Sequence, residues 1–279
     1  MRELVRRVGQ RVMVGFEGLT ASADVKHLIR DLGVGHVILF ARNVDRPEQV
    51  VDLVRELQSV ARDAGHDLPL LVGVDQEGGR VACLREPWTI WPPLRAVGRT
   101  GSEETARGMG RALAAELRAC GIRVDFAPVV DVDTNPRNTA IGDRAFGDDP
   151  ELVGRLGTAM IAGLQEGGVA ACAKHFPGHG DTDVDSHLSL PAVDHSRARL
   201  EDVELRPFRR AIEELVRSAE AEEVSWEAVD TAAERVRRLK ERFLLPYKDP
   251  DPKQARLSAG VGEHRRLAEQ IAAQAGIPG

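Results

Sequence analysis

The sequence predicts an α/β fold of the (β/α)8 TIM-barrel type, incomplete, with about five of the eight strands recognisable. Short apolar runs rich in β-branched residues alternate with longer helical patterns, which implies repeated βα units. The apolar runs are continuous, as in a parallel sheet buried on both faces. An open doubly wound sheet would share these two features. Polar clusters that follow several of the strands favour the barrel, because a barrel builds its site at those strand ends.

The predicted elements follow in order along the chain. Strands are predicted at residues 11–16, 36–40, 69–74, 123–130 and 169–176. Helices are predicted to begin near Asp24, Pro47, Ser102 and Pro150. Serine is a good helix N-cap and proline suits a first helical turn, which supports the last three. Beyond residue 176 no convincing strand is found, and helices are predicted at about 199–219, 225–243 and 264–273. We therefore expect one barrel domain over 1–279, with βα units in 1–214 and a helical C-terminal remnant in 215–279.

Length, composition and charge limit the class of protein. The 279 residues are 42% hydrophobic and 29% charged, which is a globular balance. The net charge of −6 gives no basic face for nucleic acid, and no apolar run has the length of a signal peptide or membrane span. Cys83, Cys120 and Cys172 are odd in number and widely spaced. We expect a reduced, cytoplasmic protein without a nucleic-acid or membrane partner, and the sequence leaves the oligomeric state open.

The stretch 174–187, KHFPGHGDTDVDSH, concentrates histidines, aspartates and a lysine around two glycines and a proline. It is open to three interpretations: a metal site, a proton-transfer site or a polar turn. Glycine and aspartate favour turns in any case, and His179, between two glycines, would then pack or orient the turn. His66 and His264 have no such context and are expected at the surface.

The metal interpretation fits the spacing poorly. Asp181, Asp183 and Asp185 alternate as at the start of an EF-hand loop, but Ser186 stands where that loop needs glycine and Ala192 where it needs glutamate. A zinc site could use the histidines of the stretch, although their spacing matches no familiar pattern. That set would be His175, His179 and His187.

The proton-transfer interpretation explains more of the residues. Asp185 and His187 lie two apart, so an extended segment points them the same way, and the carboxylate would fix the imidazole tautomer and raise its basicity. Lys174 and His175 end the fifth predicted strand, where their side chains would reach the barrel mouth. Asp75 follows the third strand and could accept hydrogen bonds from paired hydroxyls. This combination of groups suits a sugar.

These motifs resemble those of glycoside hydrolase family 3, in particular its cytoplasmic β-N-acetylglucosaminidase (β-hexosaminidase) branch. The resemblance covers roughly residues 8–213, and the predicted helix at 225–243 resembles the family's closing helix. The residues that carry it are GVDQEGGRV (73–81), NTAIGDRAFG (138–147), KHFPGHG (174–180) and DSH (185–187).

The resemblance implies a barrel of the family's N-terminal type that removes terminal β-linked N-acetylglucosamine, with retention, from cell-wall or peptidoglycan-derived sugars. His187 would be the general acid/base and Asp185 its partner, in place of the second carboxylate that most retaining glycosidases use. No metal or organic cofactor is implied. The implied substrate-binding residues are Asp75, Arg144, Lys174 and His175.

Two positions depart from the family pattern. Where the family commonly has a sugar-binding arginine this chain has Cys83, and the side chain of Arg85 would project differently. The nucleophilic aspartate, expected in a Ser/Thr-Asp motif after a later strand, is not recognisable. The remaining acidic candidates are Asp230, Asp249 and Asp251.

The missing nucleophile points to an internal deletion after about residue 214. The family would place three strands between the segments 208–214 and 215–230, which here follow each other directly. A retaining mechanism without its nucleophile has no first step. We therefore expect a weak or inactive glycosidase. The alternative is a non-catalytic or degenerate N-acetylglucosamine-binding protein, and a metal-dependent hydrolase is a third, weaker possibility.

Overall fold

A computed structural model describes residues 6, 9–183, 195–208 and 237–276. Each of the five predicted strand regions contains one strand of a single parallel sheet, and the chain adds a separate short hairpin. The strands are β1 (Met13–Val14), β2 (His36–Leu39), β3 (Leu71–Val74), β4 (Gln76–Gly78), β5 (Val81–Ala82), β6 (Val124–Asp125) and β7 (Ala170–Ala171).

The strand order confirms the barrel type of the fold. The parallel sheet runs β1-β2-β3-β6-β7, so each strand pairs with the preceding strand of the same sheet and the order never reverses. A doubly wound sheet reverses its order at a switch point, whereas a barrel adds strands in one direction. Within the described residues the sheet has five strands and does not close, as the sequence predicts.

Helices alternate with these strands. Ser102 caps its helix by accepting a hydrogen bond from the Thr105 amide at 3.1 Å, and Pro47 and Pro150 stand in first turns, as predicted. Residues 237–244 are also helical. The named helices are α1 (Ala23–Leu32), α2 (Pro47–Asp63), α3 (Leu94–Thr100), α4 (Glu103–Ala119), α5 (Pro150–Glu166), α6 (Arg197–Asp202), α7 (Pro252–Ser258) and α8 (Gly262–Gln274).

Some predicted elements are shorter than expected. Within the run 123–130 regular strand pairing is confined to β6, because Pro128 has no amide to donate. Beyond β6 the Ala127 and Pro128 carbonyls still accept from the Cys172 and Lys174 amides, and Val129 forms a bridge to Lys174. The helix predicted at 199–219 ends at Asp202, and residues 206–208 begin another turn. Pro207 accounts for the break, since it cannot donate to the preceding turn. The predicted segments 209–219 and 225–236, and with them the proposed deletion point, lie outside the described residues.

The C-terminal helices close over the first βα units. α7 packs on α2 and α4, and α8 packs on α3 and α4. Glu116 of α4, 2% exposed, accepts hydrogen bonds from the Thr89 amide at 3.2 Å and hydroxyl at 2.9 Å, and from the Gly260 amide at 2.8 Å. This carboxylate therefore joins the C-terminal segment to the sheet domain.

The expectation that His264 and His66 lie at the surface is wrong. The His264 side chain is only 15% exposed, because its Nδ1 lies 3.4 Å from a Glu116 oxygen and its ring lies against Trp91. His66 is half-buried, with Nε2 2.9 Å from the Ile29 carbonyl oxygen. In the part of the chain that is described, no helix has the length and apolarity needed to cross a membrane.

Candidate active site

The ends of β3 and β7 bring Asp75 and Lys174 to one edge of the sheet. Asp75 directly follows β3, and Lys174 lies three residues beyond β7. Lys174 is fixed by a parallel bridge to Val129, in which its carbonyl accepts from the Val130 amide at 2.7 Å. Carboxyl ends of neighbouring parallel strands share an edge, so these side chains meet where a barrel places its site.

Lys174 bridges two carboxylates. Its Nζ lies 2.5 Å from Asp75 Oδ1 and 2.6 Å from Glu77 Oε1. The side chain of Glu77 is 1% exposed and that of Asp75 is 27% exposed. Burial alone would lower the Lys174 pKa, but the neighbouring Glu77 and Asp75 outweigh it and raise that pKa. The ammonium group is thus held in its charged form and aimed by two acceptors.

Arg144 holds Glu77 from the other side. Its Nε donates to Glu77 Oε2 and its Nη2 to Glu77 Oε1, both at 2.8 Å, and its Nη1 donates to the Ala140 carbonyl at 2.8 Å. Burial favours a higher Glu77 pKa, but hydrogen bonds from Arg144 and the charge of Lys174 lower it. Glu77 is therefore a buried anion shared by the two cations of the site.

His175 is oriented by Asp131. The imidazole Nδ1 lies 2.6 Å from Asp131 Oδ2, and the His175 amide donates to both oxygens at 3.2 Å. His175 Nε2 lies 3.2 Å from Arg144 Nη2. Since a guanidinium only donates, Nε2 accepts and the proton sits on Nδ1, facing Asp131. Asp131 is fully buried and also accepts from the His179 amide at 2.7 Å, so it anchors the turn.

Asp125 lies beneath these residues. It is fully buried, and Oδ1 accepts from the Gln76 amide at 3.0 Å. Burial raises its pKa well above the usual range, and the charges of Asp75 and Glu77 act in the same direction. The amide of Gln76 and the charge of Lys174 act in the opposite direction and lower the Asp125 pKa, but burial outweighs them.

Asp75 and His175 are the most accessible of these groups. Their side chains are 27% and 34% exposed, against 13% for Lys174 and 14% for Arg144. An exposed carboxylate can accept hydrogen bonds from neighbouring hydroxyls, while the cations behind it supply donors. The arrangement fits recognition of a polar ligand with several hydroxyls. The structure thus brings together all four predicted substrate-binding residues, whose roles stay predictions.

The predicted proton-transfer pair, Asp185 and His187, lies outside the described residues. The nucleophile also stays unidentified. Asp249 lies 3.3 Å from Arg62 Nη1 and accepts from the Tyr247 hydroxyl at 3.2 Å, and Asp251 caps α7. Neither follows a strand of the sheet, and Asp230 is not among the described residues.

Neither Cys83 nor Arg85 replaces the arginine expected from the family pattern. Burial, with the charge of Asp75 as the next cause, raises the pKa of Cys83 to about 11, so its thiol is neutral. Arg85 donates to the Arg80 carbonyl at 3.1 Å on the exposed side of the hairpin. Within the described ranges, no three histidine, cysteine, aspartate or glutamate side chains are grouped to hold a metal ion.

Sequence reasoning did not assign three buried acids of the site. Glu77 stands two residues after Asp75, a spacing that places both side chains on one face of an extended segment. Asp125 and Asp131 lie in and after β6. The sequence signal that could have identified these two residues is an acidic side chain within the apolar run at the end of a strand. The hairpin β4–β5 was also missed, although its turn glycines, Gly78 and Gly79, both have positive φ.

Known proteins are similar to this chain in sequence and in fold. A profile of the glycosyl hydrolase family 3 N terminal domain matches residues 3–245. A β-hexosaminidase from Nitrosomonas eutropha is 40% identical over 225 residues, and β-hexosaminidase A from Pseudoalteromonas piscicida is 41% identical over 197 residues. These matches cover 78% and 69% of this chain. The chain spans 63% of the first relative's length and 33% of the second's.

Solved structures give the same result. A glycoside hydrolase family 3 β-N-acetylglucosaminidase from Paenibacillus sp. str. FPU-7 superposes with a TM-score of 0.78 at 34% identity, covering 98% of this chain and 68% of that one. NagZ from Neisseria gonorrhoeae superposes with a TM-score of 0.70 at 26% identity, covering 95% of this chain and 97% of that one. Profile, relatives and fold agree, and the chain belongs to glycosyl hydrolase family 3 through the family's N-terminal domain.

Proposed function

We propose that this chain is a glycoside hydrolase of the retaining β-N-acetylglucosaminidase type. It binds a terminal β-linked N-acetylglucosamine, carried by cell-wall or peptidoglycan-derived sugars, in the cytoplasm. The observation that carries this proposal is the Lys174 ammonium bridging Asp75 and Glu77 beside His175. Relatives named β-hexosaminidase support it, as does a NagZ structure in complex with N-trifluoroacetyl-D-glucosamine.

Each site residue has a role in this proposal. Asp75 accepts hydrogen bonds from sugar hydroxyls, while Lys174, Arg144 and His175 donate to or orient the same sugar. His187, with Asp185 as its partner, protonates the glycosidic oxygen as the C1–O bond breaks and later deprotonates the attacking water. A retaining reaction also needs a carboxylate that attacks C1, and that group is unassigned here.

A second candidate function is binding of N-acetylglucosamine without hydrolysis. The positions of Asp249 and Asp251 favour it, because both are used elsewhere on the surface and neither follows a strand of the sheet. The internal deletion proposed after about residue 214 favours it too, since it would remove the strand that carries the nucleophile. The sugar-holding residues would remain in place in either case.

The deciding experiment measures hydrolysis of a chromogenic β-N-acetylglucosaminide by the purified, folded chain, with His187→Ala alongside. Turnover that disappears in the variant supports the hydrolase. Calorimetry with N-acetylglucosamine on the same samples separates the other outcomes. Binding without turnover supports the second candidate, and neither binding nor turnover by folded protein overturns both.

A further inference from the structure

A cavity of about 420 Å³ lies between α4 and α8, and none of the sugar-binding residues lines it. This volume is within the range of small-molecule sites, which is about 300–1,000 Å³. Both helices contribute charged and apolar groups to its walls. The cavity is lined by Glu104, Gly108 and Arg111 of α4 and by Glu263 and Leu267 of α8.

The two helices run in opposite directions along the cavity. Near the start of α8, His264 Nδ1 lies 3.4 Å from a carboxylate oxygen of Glu116, in the last turns of α4. Just beyond the end of α8, the Ala275 carbonyl accepts from Arg99 at 2.7 Å, in the helix that precedes α4. Glu263, which stands next to His264, therefore lies at the end of the cavity that is farther from the start of α4.

Charged groups stand at the two ends of the cavity. Glu104 and Arg111 are about two turns apart on one face of α4, or about 11 Å along its axis. Glu104 marks one end, and Arg111 with Glu263 marks the other. In the part of the chain that the structure describes, neither glutamate has an ion-pair partner, whereas the neighbouring Glu103 pairs with Arg155 at 2.9 Å.

Arg111 can bind a further anion. Its Nη1 lies 3.4 Å from Glu166 Oε2, but Arg107 pairs with the same glutamate, so two arginines share one carboxylate. A guanidinium has five N–H donors, enough for a second carboxylate. The N-terminus of α8 lies at the same end of the cavity, and its dipole also favours a negative group there.

The middle of the cavity is apolar. Gly108 has no side chain, and a Cβ atom at this position would lie 3.6 Å from Leu267 Cδ2, which is an ordinary van der Waals contact. Gly108 thus leaves space beside Leu267 for an aliphatic chain, and a large side chain at position 108 would occupy that space. The cavity therefore joins a carboxylate at one end, an aliphatic middle, and a carboxylate with a guanidinium at the other end.

We propose that this cavity binds a basic α-amino acid, of which lysine is the simplest probe. The α-carboxylate pairs with Arg111, the α-ammonium group with Glu263 and the side-chain ammonium group with Glu104. In lysine the five bonds from Cα to the ε-nitrogen, of about 1.5 Å each, span about 6 Å when extended, and the side chains of the protein cover the remaining length. A diamine would place an ammonium group beside Arg111, and this like-charge contact disfavours it. The site goes beyond the proposed function and does not depend on it.

The test compares three ligands by isothermal titration calorimetry and thermal unfolding of the full chain. Lysine should bind and raise Tm with increasing concentration, because it binds the folded state. Norleucine lacks the side-chain ammonium group and cadaverine lacks the α-carboxylate. Each should bind about 5-fold more weakly than lysine, which is the effect of one exposed ion pair.

Variants of the lining residues locate the site. Glu104→Gln should weaken lysine binding about 5-fold and leave norleucine binding unchanged, because norleucine has no group for Glu104. Gly108→Leu should abolish binding of both ligands by filling the middle of the cavity. The matched control is Glu103→Gln, which changes the adjacent acid of the same helical turn and should bind lysine as the parent does, since Glu103 is paired with Arg155. Circular dichroism and Tm without ligand check that each variant folds.

Three results would each overturn the proposal. The first is no heat and no change in Tm of the folded parent with tens of millimolar lysine. The second is equal affinity for lysine, norleucine and cadaverine, which would mean that the charged ends do not recognise the ligand. The third is parental lysine affinity in folded Glu104→Gln, which would place the binding elsewhere. None of these measurements uses a sugar, so failure of this site leaves the proposed function untouched.

Discussion

Arg144 and Glu77 form a two-point ion pair, with both N–O distances 2.8 Å and Glu77 1% exposed. The fork of a guanidinium matches a carboxylate in this geometry, which fixes the orientation of both groups. Lys174 shares one of the same oxygens. The two cations of the site are thus oriented by a carboxylate of the protein itself.

Glu77→Gln should destabilise the protein by about 3 kcal/mol, because removing one partner of a buried pair leaves the other charge uncompensated. The change should also weaken N-acetylglucosamine binding, since Arg144 and Lys174 lose their common acceptor. Urea unfolding and calorimetry measure the two effects. Glu166→Gln is the matched control: Glu166 also pairs with two arginines but is 37% exposed, so about 1 kcal/mol or less is expected. Equal losses in both variants would contradict the argument.

Asp75→Asn should lower affinity for N-acetylglucosamine by about 10- to 100-fold, because hydrogen bonds to a charged group contribute about 1.5–3 kcal/mol. Stability should change little, since Asp75 is 27% exposed. Isothermal titration calorimetry and thermal unfolding together check both statements. Asp143→Asn, at an exposed acid 3.7 Å from Arg80, is the control and should bind as the parent does. Parental affinity in Asp75→Asn would remove Asp75 from the sugar site.

Asp125→Asn should stabilise the protein at neutral and alkaline pH. Burial raises the Asp125 pKa in the folded state, so the folded state keeps a proton that the unfolded chain releases. The stability linked to this proton is complete below the unfolded pKa, near 3.9, and is lost as pH rises toward the folded pKa. In urea unfolding between pH 4 and 9, the free energy of unfolding of the variant should therefore increase relative to that of the parent as pH rises. If the unfolding free energies of parent and variant changed with pH in parallel, the predicted direction of the effect would be wrong.

Lys240→Met should stabilise the protein by about 3 kcal/mol at pH 7. Burial lowers the Lys240 pKa from 10.5 to about 8, and each pKa unit is worth about 1.4 kcal/mol. Below pH 8 the folded state holds a buried charge, whereas above 10.5 both states are neutral and the penalty is gone. The advantage should therefore shrink between pH 8 and 10.5. The variant also loses the hydrogen bond from Lys240 Nζ to Gln10 Oε1, at 2.8 Å, and this loss offsets part of the gain in stability.

The control for this variant is Lys26→Met, which removes a partly exposed lysine paired with Glu56 at 2.6 Å. It should change the free energy of unfolding by about 1 kcal/mol or less and without the same pH dependence. An unfolding free energy for Lys240→Met that falls below the parent's at pH 7 would mean that the Gln10 contact outweighs the buried charge.

Local signals in the sequence predicted where elements begin. Ser102, Pro47 and Pro150 start helices because each acts through its own backbone or side chain, independent of distant contacts. Strand lengths were less predictable. The run 123–130 is mostly apolar, but regular pairing also needs a backbone amide at each position, and Pro128 has none to donate.

The site residues that lie in recognisable motifs were predictable, and the buried acids around them were not. Asp75, Arg144, Lys174 and His175 carry motifs, and the structure places them together. Glu77, Asp125 and Asp131 were not assigned, because an acid inside an apolar run has no meaning until the cations or amides that surround it are known. His264 shows the same limit, since only folding brings it to Glu116.

Glu116 is synthesised long before one of its hydrogen-bond partners. Its partner at Gly260 is made 144 residues later, a delay on the order of ten seconds at ordinary elongation rates. During that interval every strand of the described sheet can exist while this carboxylate lacks the Gly260 amide and His264. In a nascent chain the surface of α4 around Glu116 therefore stays uncovered until residues 260–264 have been made. A chaperone that covers this surface during the interval would prevent non-native association of the nascent chain.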